Sequence, residues 1–333
     1  MKGDEGMRSN HTLYVVIPCY KEEEVLPETA RRMREKMRAL MDAGRISPAS
    51  RVMFVNDGSK DRTWEIIAEL HRQAPDLFSG VNLSRNRGHQ NALLAGLMTA
   101  VNDADMIISM DADLQDDINA MDGMIDAYHN GYDVVYGVRS SRTTDTFFKR
   151  FTAEGFYKLM KALGVDIVFN HADYRLMSKR AVEGLAEFRE VNLFLRGIVP
   201  QIGYRWTTVE YARAERFAGE SKYPLKKMLA FAFDGITSFS VKPMRLILNV
   251  GAVVFIVSLF MLLYAFISKL TGHANAGWTS LMGSIWLIGG IQLLALGVVG
   301  EYIGKIYAET KQRPRFIIEE VLNKPGEKDA GNP

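Results

Sequence analysis

From Leu246 to Ile267 the chain reads LILNVGAVVFIVSLFMLLYAFI, 22 residues without a charge. At about 1.5 Å per residue a helix of that length reaches about 33 Å, enough to cross the hydrocarbon core of a bilayer. A second uncharged run, Trp278 to Val299, is rich in Gly and Leu and is closed by Glu301 and Lys305. Two such runs so close in sequence predict a membrane hairpin rather than a pair of buried core helices. Long apolar runs are confined to the part of the chain after Arg245, so a composition of 47% hydrophobic and 24% charged residues averages a soluble segment with a membrane one.

The flanking charges set the orientation. Lys226, Lys227, Lys242 and Arg245 precede the first run, Lys305, Lys311, Arg313 and Arg315 follow the second, and Lys269 alone lies between them, which puts both termini in the cytosol. Trp278, Trp286, Tyr264 and Tyr302 fall near positions where interfacial aromatics are expected. The stretch Tyr223 to Val241 mixes Leu, Phe and Met with Lys, the pattern of an amphipathic helix lying on the membrane surface. The N-terminal MKGDEGMRSNHT is polar and has no apolar core, so no cleavable secretory signal is expected. A net charge of +2 without a dense basic patch excludes nucleic acid as a partner. The single Cys19 excludes an internal disulfide and reads as a small buried strand residue.

Before Tyr223 the apolar pattern alternates between short β-rich runs and helical periods. Strands are predicted at Leu13 to Ile17, Val52 to Val55, Val81 to Leu83 and Met106 to Met110, with helices over Pro27 to Ala43, Asp61 to Gln73, Gln90 to Val101 and Asp117 to Asn130. That alternation predicts parallel βαβ units in one sheet covered on both faces. Such a sheet binds ligands at the carboxyl ends of its strands, and the polar motifs fall there.

The strongest motif is MDADLQDD, residues 110 to 117, directly after an apolar strand. Alternate residues of an extended segment point the same way, so Asp111 and Asp113 can approach one hard cation. Mg²⁺ or Mn²⁺ takes oxygen ligands and would neutralise the charge that builds on a leaving diphosphate. Taken alone, the same pattern is a loop of solvated acids capping a helix. Two further motifs follow strands: VVIPCYKEE, residues 15 to 23, and FVNDGSKDRT, residues 54 to 63. Asp57 and Glu22 are suited to hydrogen bonds with a base or ribose. In LSRNRGHQNALLAG, residues 83 to 96, Arg85 and Arg87 are placed to touch a phosphate, while His89 reads as a helix-start or packing residue.

Taken in order with HADYRLMSKRAV at 171 to 182, ERFAGESKYP at 215 to 224 and the closing LGVVGEYIGKIY, these motifs resemble the polyprenyl-phosphate branch of the family 2 glycosyltransferases. The chain is similar to bactoprenol glucosyltransferases and, more distantly, to dolichol-phosphate mannose synthases, over about residues 12 to 316. The resemblance implies an α/β fold of the GT-A class, Rossmann-like with a mostly parallel sheet, plus two C-terminal transmembrane helices. It implies a nucleotide-sugar donor such as UDP-glucose, a polyprenyl (undecaprenyl) phosphate acceptor, a Mg²⁺ or Mn²⁺ ion and inversion at the anomeric carbon. By position, Pro18, Tyr20, Glu22 and Asp57 would hold the nucleoside. Asp111 and Asp113 would hold ribose, diphosphate and metal, with Gln115 near the sugar. Asp173 occupies the position of a catalytic base, Arg175 lies near phosphate, and Arg216, Ser221 and Lys222 match a loop that closes over the phosphates.

A phosphate acceptor has its second pKa near 6 and is already largely an anion at neutral pH, so a base is hardly needed. Asp173 is therefore expected to orient the acceptor or a cation, with Arg216 and Lys222 offsetting repulsion between phosphates. Asn56, where many relatives have Asp, and Ile118, where many have Pro, depart from the pattern. No QxxRW motif is present, which favours single transfer over processive synthesis. Expected boundaries are a disordered N-terminus 1–11, a catalytic domain 12–215, a phosphate loop and interfacial helix 216–244, a two-helix anchor 245–305 and a cytosolic tail 306–333. Another lipid or protein acceptor, or a silent nucleotide-sugar-binding scaffold, are the alternatives. Gly283, Gly289, Gly290, Gly297 and Gly300 are of the kind that lets helices of neighbouring subunits pack closely in a homo-oligomer.

Overall fold

The computed structural model describes residues 10–140, 171–191, 193–212 and 277–323, together with scattered positions between 244 and 267. It divides into two compact units, one holding the sheet and the other the apolar C-terminal helix. Residues 1–9, the segment ERFAGESKYP with Arg216, Ser221 and Lys222, and the stretch Tyr223 to Val241 lie outside the described residues.

The first half of the sheet unit is a strict alternation: β1 (Leu13–Cys19), α1 (Leu26–Asp42), β2 (Arg51–Asn56), α2 (Thr63–Gln73), β3 (Phe78–Leu83), α3 (His89–Ala100), β4 (Met106–Ser109) and α4 (Ala120–His129). Each element falls within a few residues of its expected position, because each carries its own period. All seven residues of β1 are buried, as a strand covered on both faces requires. In α1 the buried residues Leu26, Ala30, Met33, Met37 and Leu40 recur every three or four positions, one stripe facing the sheet. In α3 the whole run Ala92–Leu97 is buried. Gly96 lets this helix lie against the sheet, for a Cβ there would come within 2.4 Å of Val16 and 2.7 Å of Val55.

The second half holds β5 (Val134–Arg139), β6 (His171–Ser178), α5 (Lys179–Ala186), the one-turn α6 (Leu195–Ile198), a 3₁₀ turn over Val199–Ile202 and β7 (Trp206–Tyr211). After the long helix α7 (Trp278–Lys311) comes β8 (Ile318–Leu322). The strand order is β7-β5-β6-β4-β1-β2-β3-β8. Strands β1 to β4 are mutually parallel, β6 runs antiparallel between β4 and β5, and β8 pairs antiparallel with β3. The mostly parallel α/β sheet is as expected. Placing β4 and β2 on opposite sides of β1 creates a topological switch point, where open α/β sheets form their ligand crevice.

One expectation needs correction. The tail 306–333 is not merely a tail: α7 continues to Lys311, and β8 covers the edge of β3. Trp64 Nε1 donates to Glu320 at 3.2 Å, Asn82 Nδ2 donates to Glu319 at 3.2 Å, and Arg315 donates to the Phe188 carbonyl at 3.0 Å. A bare β3 edge would present unpaired backbone groups, and β8 removes that edge. Of the two expected spans, one described helix, Leu287–Lys311, is long and apolar enough to cross a membrane. It leaves Leu287, Leu293, Leu296 and Ile303 exposed. In the first run the scattered described residues from Met244 to Ile267 are helical.

Candidate active site

The site is assembled where β1, β2, β3 and β4 end. Asn56 at the end of β2 is buried; its Nδ2 donates to Asn82 at 2.7 Å, and its Oδ1 accepts from the Ser59 backbone at 3.2 Å. Asp57, next along, is 2% exposed and accepts from the backbone N–H groups of Arg87 and Gly88 at 2.7 and 2.9 Å. Burial raises its carboxyl above the usual range, and those two N–H groups pull the other way. The residue expected to hold a nucleoside thus also fixes the loop entering α3. Gly58 makes that junction possible: its φ is +59°, and a Cβ there would stand 2.4 Å from the Arg85 carbonyl carbon. The Arg85 side chain is exposed.

On the β1 side, Pro18 is buried at the strand end, Tyr20 is 44% exposed, and Glu22 is half-buried with its N–H on Thr63 Oγ1 at 3.1 Å. Lys21 takes φ +58° and its N–H donates to Ser59 at 3.1 Å, so the β1 and β2 loops brace each other.

The acids after β4 are held by α1 and by the turn itself. Buried Thr29 donates to the Ala112 carbonyl at 2.9 Å, between Asp111 and Asp113. Leu114 adopts φ +58°, and the Gln115 N–H returns to Asp113 Oδ1 at 3.2 Å. A left-handed Leu is uncommon and costs about 1–2 kcal/mol, a strain held at a functional turn. Asp116 is buried and accepts from the Tyr211 hydroxyl at the end of β7 at 2.5 Å.

The antiparallel β6 brings Asp173 to the same edge. Ser109 pairs with Arg175 in the β4–β6 register, so Asp173 lies beside the residues following β4, and Ser109 Oγ donates to the Asp173 carbonyl at 2.5 Å. The Asp173 carboxylate accepts from Arg175 Nη2 at 2.7 Å and from Arg196 Nε and Nη2, each at 3.2 Å. His89 Nε2 stands 3.6 Å from Asp173 and 3.5 Å from Asp111, bridging the two acids. Arg175, expected near a phosphate, is 1% exposed, with its guanidinium against Asp173 and the Leu195 carbonyl. It holds the acid from beneath rather than opening to solvent.

The electrostatics separate two neighbouring carboxyls. Burial alone would raise Asp173, but His89, Arg196 and Arg175 outweigh it and hold the group well below the usual carboxylate range. Asp111 is pushed up to about 6, first by burial and then by Asp173, Asp116 and Asp113, with His89 opposing. Its side chain nevertheless keeps 37% of its surface open, so the carboxyl is not sealed in the core. Burial would lower His89, yet the two carboxylates reverse this and the net shift is upward.

Asp111 and Asp113 suit a divalent cation. Among the described residues no three His, Cys, Asp or Glu side chains form a cage for a metal. Two carboxylates, with phosphate oxygens and water completing the shell, is the usual Mg²⁺ arrangement beside a nucleotide. Burial, with the nearby acids adding to it, raises Asp111 to about 6, and a bound cation would favour its ionised form.

A pH dependence follows. Because the Asp111 carboxyl is raised in the fold, metal-free folded protein binds more protons than unfolded chain between the ordinary value and about 6, and stability from this group is lost as pH rises through that window. In Asp111→Asn that loss is absent. The melting temperature of the variant relative to wild type, measured in chelator, is therefore expected to increase from pH 4 to pH 7; a difference flat in pH would contradict the assignment.

Several participants were not apparent from sequence. Arg196 sits on a four-residue helix with no motif around it. His89, read as a helix-start residue, is that and also a bridge between acids. Thr29 and Tyr211 act only through contacts 83 and 95 residues away. The HQN start of α3 offered one signal: the Gln90 side chain accepts from the Leu195 N–H at 2.9 Å and ties α6 to this site.

The sheet and the acids at its edge define a GT-A-like α/β glycosyltransferase. The family model for glycosyl transferase family 2 matches residues 14–185, and that for the GtrB C-terminal hairpin matches residues 242–306. The uncharacterized glycosyltransferase YkoT of Bacillus subtilis (strain 168) is 53% identical over 312 residues, 94% of this chain and 92% of the relative. The prophage bactoprenol glucosyl transferase homolog of Escherichia coli (strain K12) is 42% identical, covering 92% of this chain and 98% of its own. The bactoprenol glucosyl transferase of Shigella phage SfV is 41% identical, covering 92% and 97%. The chain belongs to glycosyl transferase family 2.

Proposed function

We propose that this enzyme transfers a sugar, with inversion, from a nucleoside diphosphate sugar to polyprenyl phosphate at the cytosolic face of a membrane. The observation that carries this reading is the state of Asp173. It is an enclosed anion paired with two guanidiniums, poorly suited to accept a proton and well suited to a site whose acceptor needs no base. A phosphate monoester is that acceptor. One of its oxygens attacks the anomeric carbon, and the bond pair of the breaking C–O bond leaves with the nucleoside diphosphate. A dianionic acceptor becomes a monoanionic diester while the donor's diphosphate gains the charge, so no proton is released.

Asp111 and Asp113 would hold Mg²⁺ or Mn²⁺, which when bound neutralises the leaving diphosphate. Pro18, Tyr20, Glu22 and Asp57 form the nucleoside side of the cleft and Gln115 the sugar side, with uridine the favoured base. By the resemblance, Arg216, Ser221 and Lys222 would meet the phosphates. The two apolar runs form a membrane hairpin, supported by the match to the hairpin model and by the basic flanks. The names of the relatives favour glucose and bactoprenol.

The test is to incubate the purified full chain with undecaprenyl phosphate, Mg²⁺ and a panel of nucleotide sugars and to read the lipid by mass. A monophosphate-linked hexose formed from one donor is the expected result. Transfer only to a diacylglycerol or a protein, or no transfer, would overturn the reading.

A further inference from the structure

We propose that Glu319, on the C-terminal strand β8, is a positioning residue for the nucleotide, acting through the side chains of Asn82 and Asn56. The proposal rests on the reading above, in which Tyr20, Glu22 and Asp57 hold the nucleoside, and extends it to the far edge of the sheet.

The contacts form an unbroken line across three strands. Glu319 accepts from Asn82 Nδ2 at 3.2 Å, Asn82 Oδ1 accepts from Asn56 Nδ2 at 2.7 Å, and Asn56 Oδ1 accepts from the Ser59 backbone N–H at 3.2 Å. Ser59 Oγ in turn accepts from the Lys21 N–H at 3.1 Å, and the Asp57 N–H donates to the Cys19 carbonyl at 2.9 Å. The line therefore ends on the two turns that carry Tyr20, Glu22 and Asp57.

Each link has a direction, and Glu319 sets it. A side-chain amide has a donor end and an acceptor end and can turn over, whereas a carboxylate only accepts. With Glu319 in place, Asn82 must present Nδ2 to it and Oδ1 to Asn56. Asn56 must then give its Nδ2 to Asn82, which leaves its Oδ1 for Ser59. Reversing either amide alone would set two donors or two acceptors face to face. Asn56 is 2% exposed, so such a mismatch would leave a buried polar group unsatisfied. Without Glu319, the outer amide loses the group that selects between its two orientations.

Holding β8 on the sheet does not require this contact. Backbone pairing between Gly80 and Leu322 and between Leu83 and Ile318 covers the β3 edge, and Glu320 ties the strand to Trp64 on α2. A Glu319 that served only to fasten the strand would duplicate both.

The experiment measures uridine diphosphate binding by calorimetry in Mg²⁺, and steady-state transfer with donor and acceptor varied separately, on the full chain in detergent. Glu319→Ala is expected to weaken uridine diphosphate binding and raise the donor KM about fivefold, with the acceptor KM changed by less than about twofold. Glu319→Gln, whose Oε1 can accept the same bond, is expected to stay within about twofold of wild type. Glu319→Lys puts a donor where Asn82 also donates and is expected to exceed the Ala variant. Combined with Asn56→Asp, however, it lets the whole line run in reverse: the new carboxylate accepts from Ser59 and Asn82, and Asn82 Oδ1 accepts from the ammonium. The double variant is therefore expected to bind uridine diphosphate at least about threefold more tightly than either single variant. If Asn56→Asp does not fold, the three Glu319 variants carry the test. Wild-type donor KM in Glu319→Ala and Glu319→Lys, equal rises in donor and acceptor KM, or a double variant no better than its parents would overturn the inference. Wild type that makes no lipid product would overturn the reading in which it stands.

Discussion

Asp111→Asn is expected to reduce sugar transfer about a thousandfold or more, about 4 kcal/mol of transition-state stabilisation, while leaving the protein as heat-stable as wild type or more so. The two halves of this result have one cause. Burial first, and then the charges of Asp173, Asp116 and Asp113, raise the Asp111 carboxyl to about 6 against the opposing His89. The Asp111 charge opposes the fold and exists for a ligand. Replacing it by an amide removes repulsion and abolishes the site's capacity to bind a hard cation. The Thr29 bond to the Ala112 carbonyl and the left-handed Leu114 are backbone features and survive the change. Activity and thermal melting on one preparation check it; a variant that melts well below wild type would mean that Asp111 is a structural acid.

Gly58→Ala is expected to destabilise the protein by about 3 kcal/mol or more, combining about 1–2 kcal/mol for a side chain in the left-handed region with a backbone collision. The added carbon would lie 2.4 Å from the Arg85 carbonyl carbon, 2.5 Å from the Asn86 nitrogen and 2.6 Å from the Arg85 Cα. These are backbone atoms that cannot rotate away, so the 85–88 loop must shift. Because Asp57 holds that loop through Arg87 and Gly88, and His89 follows directly, the same shift disturbs the bridge between Asp111 and Asp173. Transfer should fall with stability. Gly88→Ala is the control: φ is +87° but nothing lies within 4 Å of its Cβ, so only the conformational cost applies. In a domain of this size each kcal/mol moves the melting temperature by about 2–4 °C. Equal melting of the two variants would show that the close approach at Gly58 is not rigid.

The parallel half of the sheet was legible because each element announces itself locally. Periods of two and of 3.6 place β1 to β4 and α1 to α4, and turn residues put the motifs at the strand ends. What was not legible is pairing at a distance. Nothing in HADYRLMS says that it runs antiparallel between β4 and β5, yet that direction delivers Asp173 to Asp111. Nothing in IEEVL distinguishes an edge strand from a tail. α7 extends past its apolar run because GEYIGKIYAETK continues without a breaker, the left-handed Gln312 ending it two residues before Pro314. Arg196 and His89 gain their meaning from burial and from opposing charges on other elements, which a charge in a sequence does not display.

The proposed chemistry requires Asp111 and Asp113 to hold a divalent cation together with a nucleoside diphosphate at the edge of β4. The most direct test is a Mn²⁺ titration of the full chain with uridine diphosphate, followed by the loss of the free-ion electron paramagnetic resonance signal, for wild type, Asp111→Asn and Asp113→Asn. Wild type is expected to retain Mn²⁺, with an affinity at least about tenfold lower in each variant, since each loses one charged ligand. Retention of wild-type affinity by both variants would contradict it.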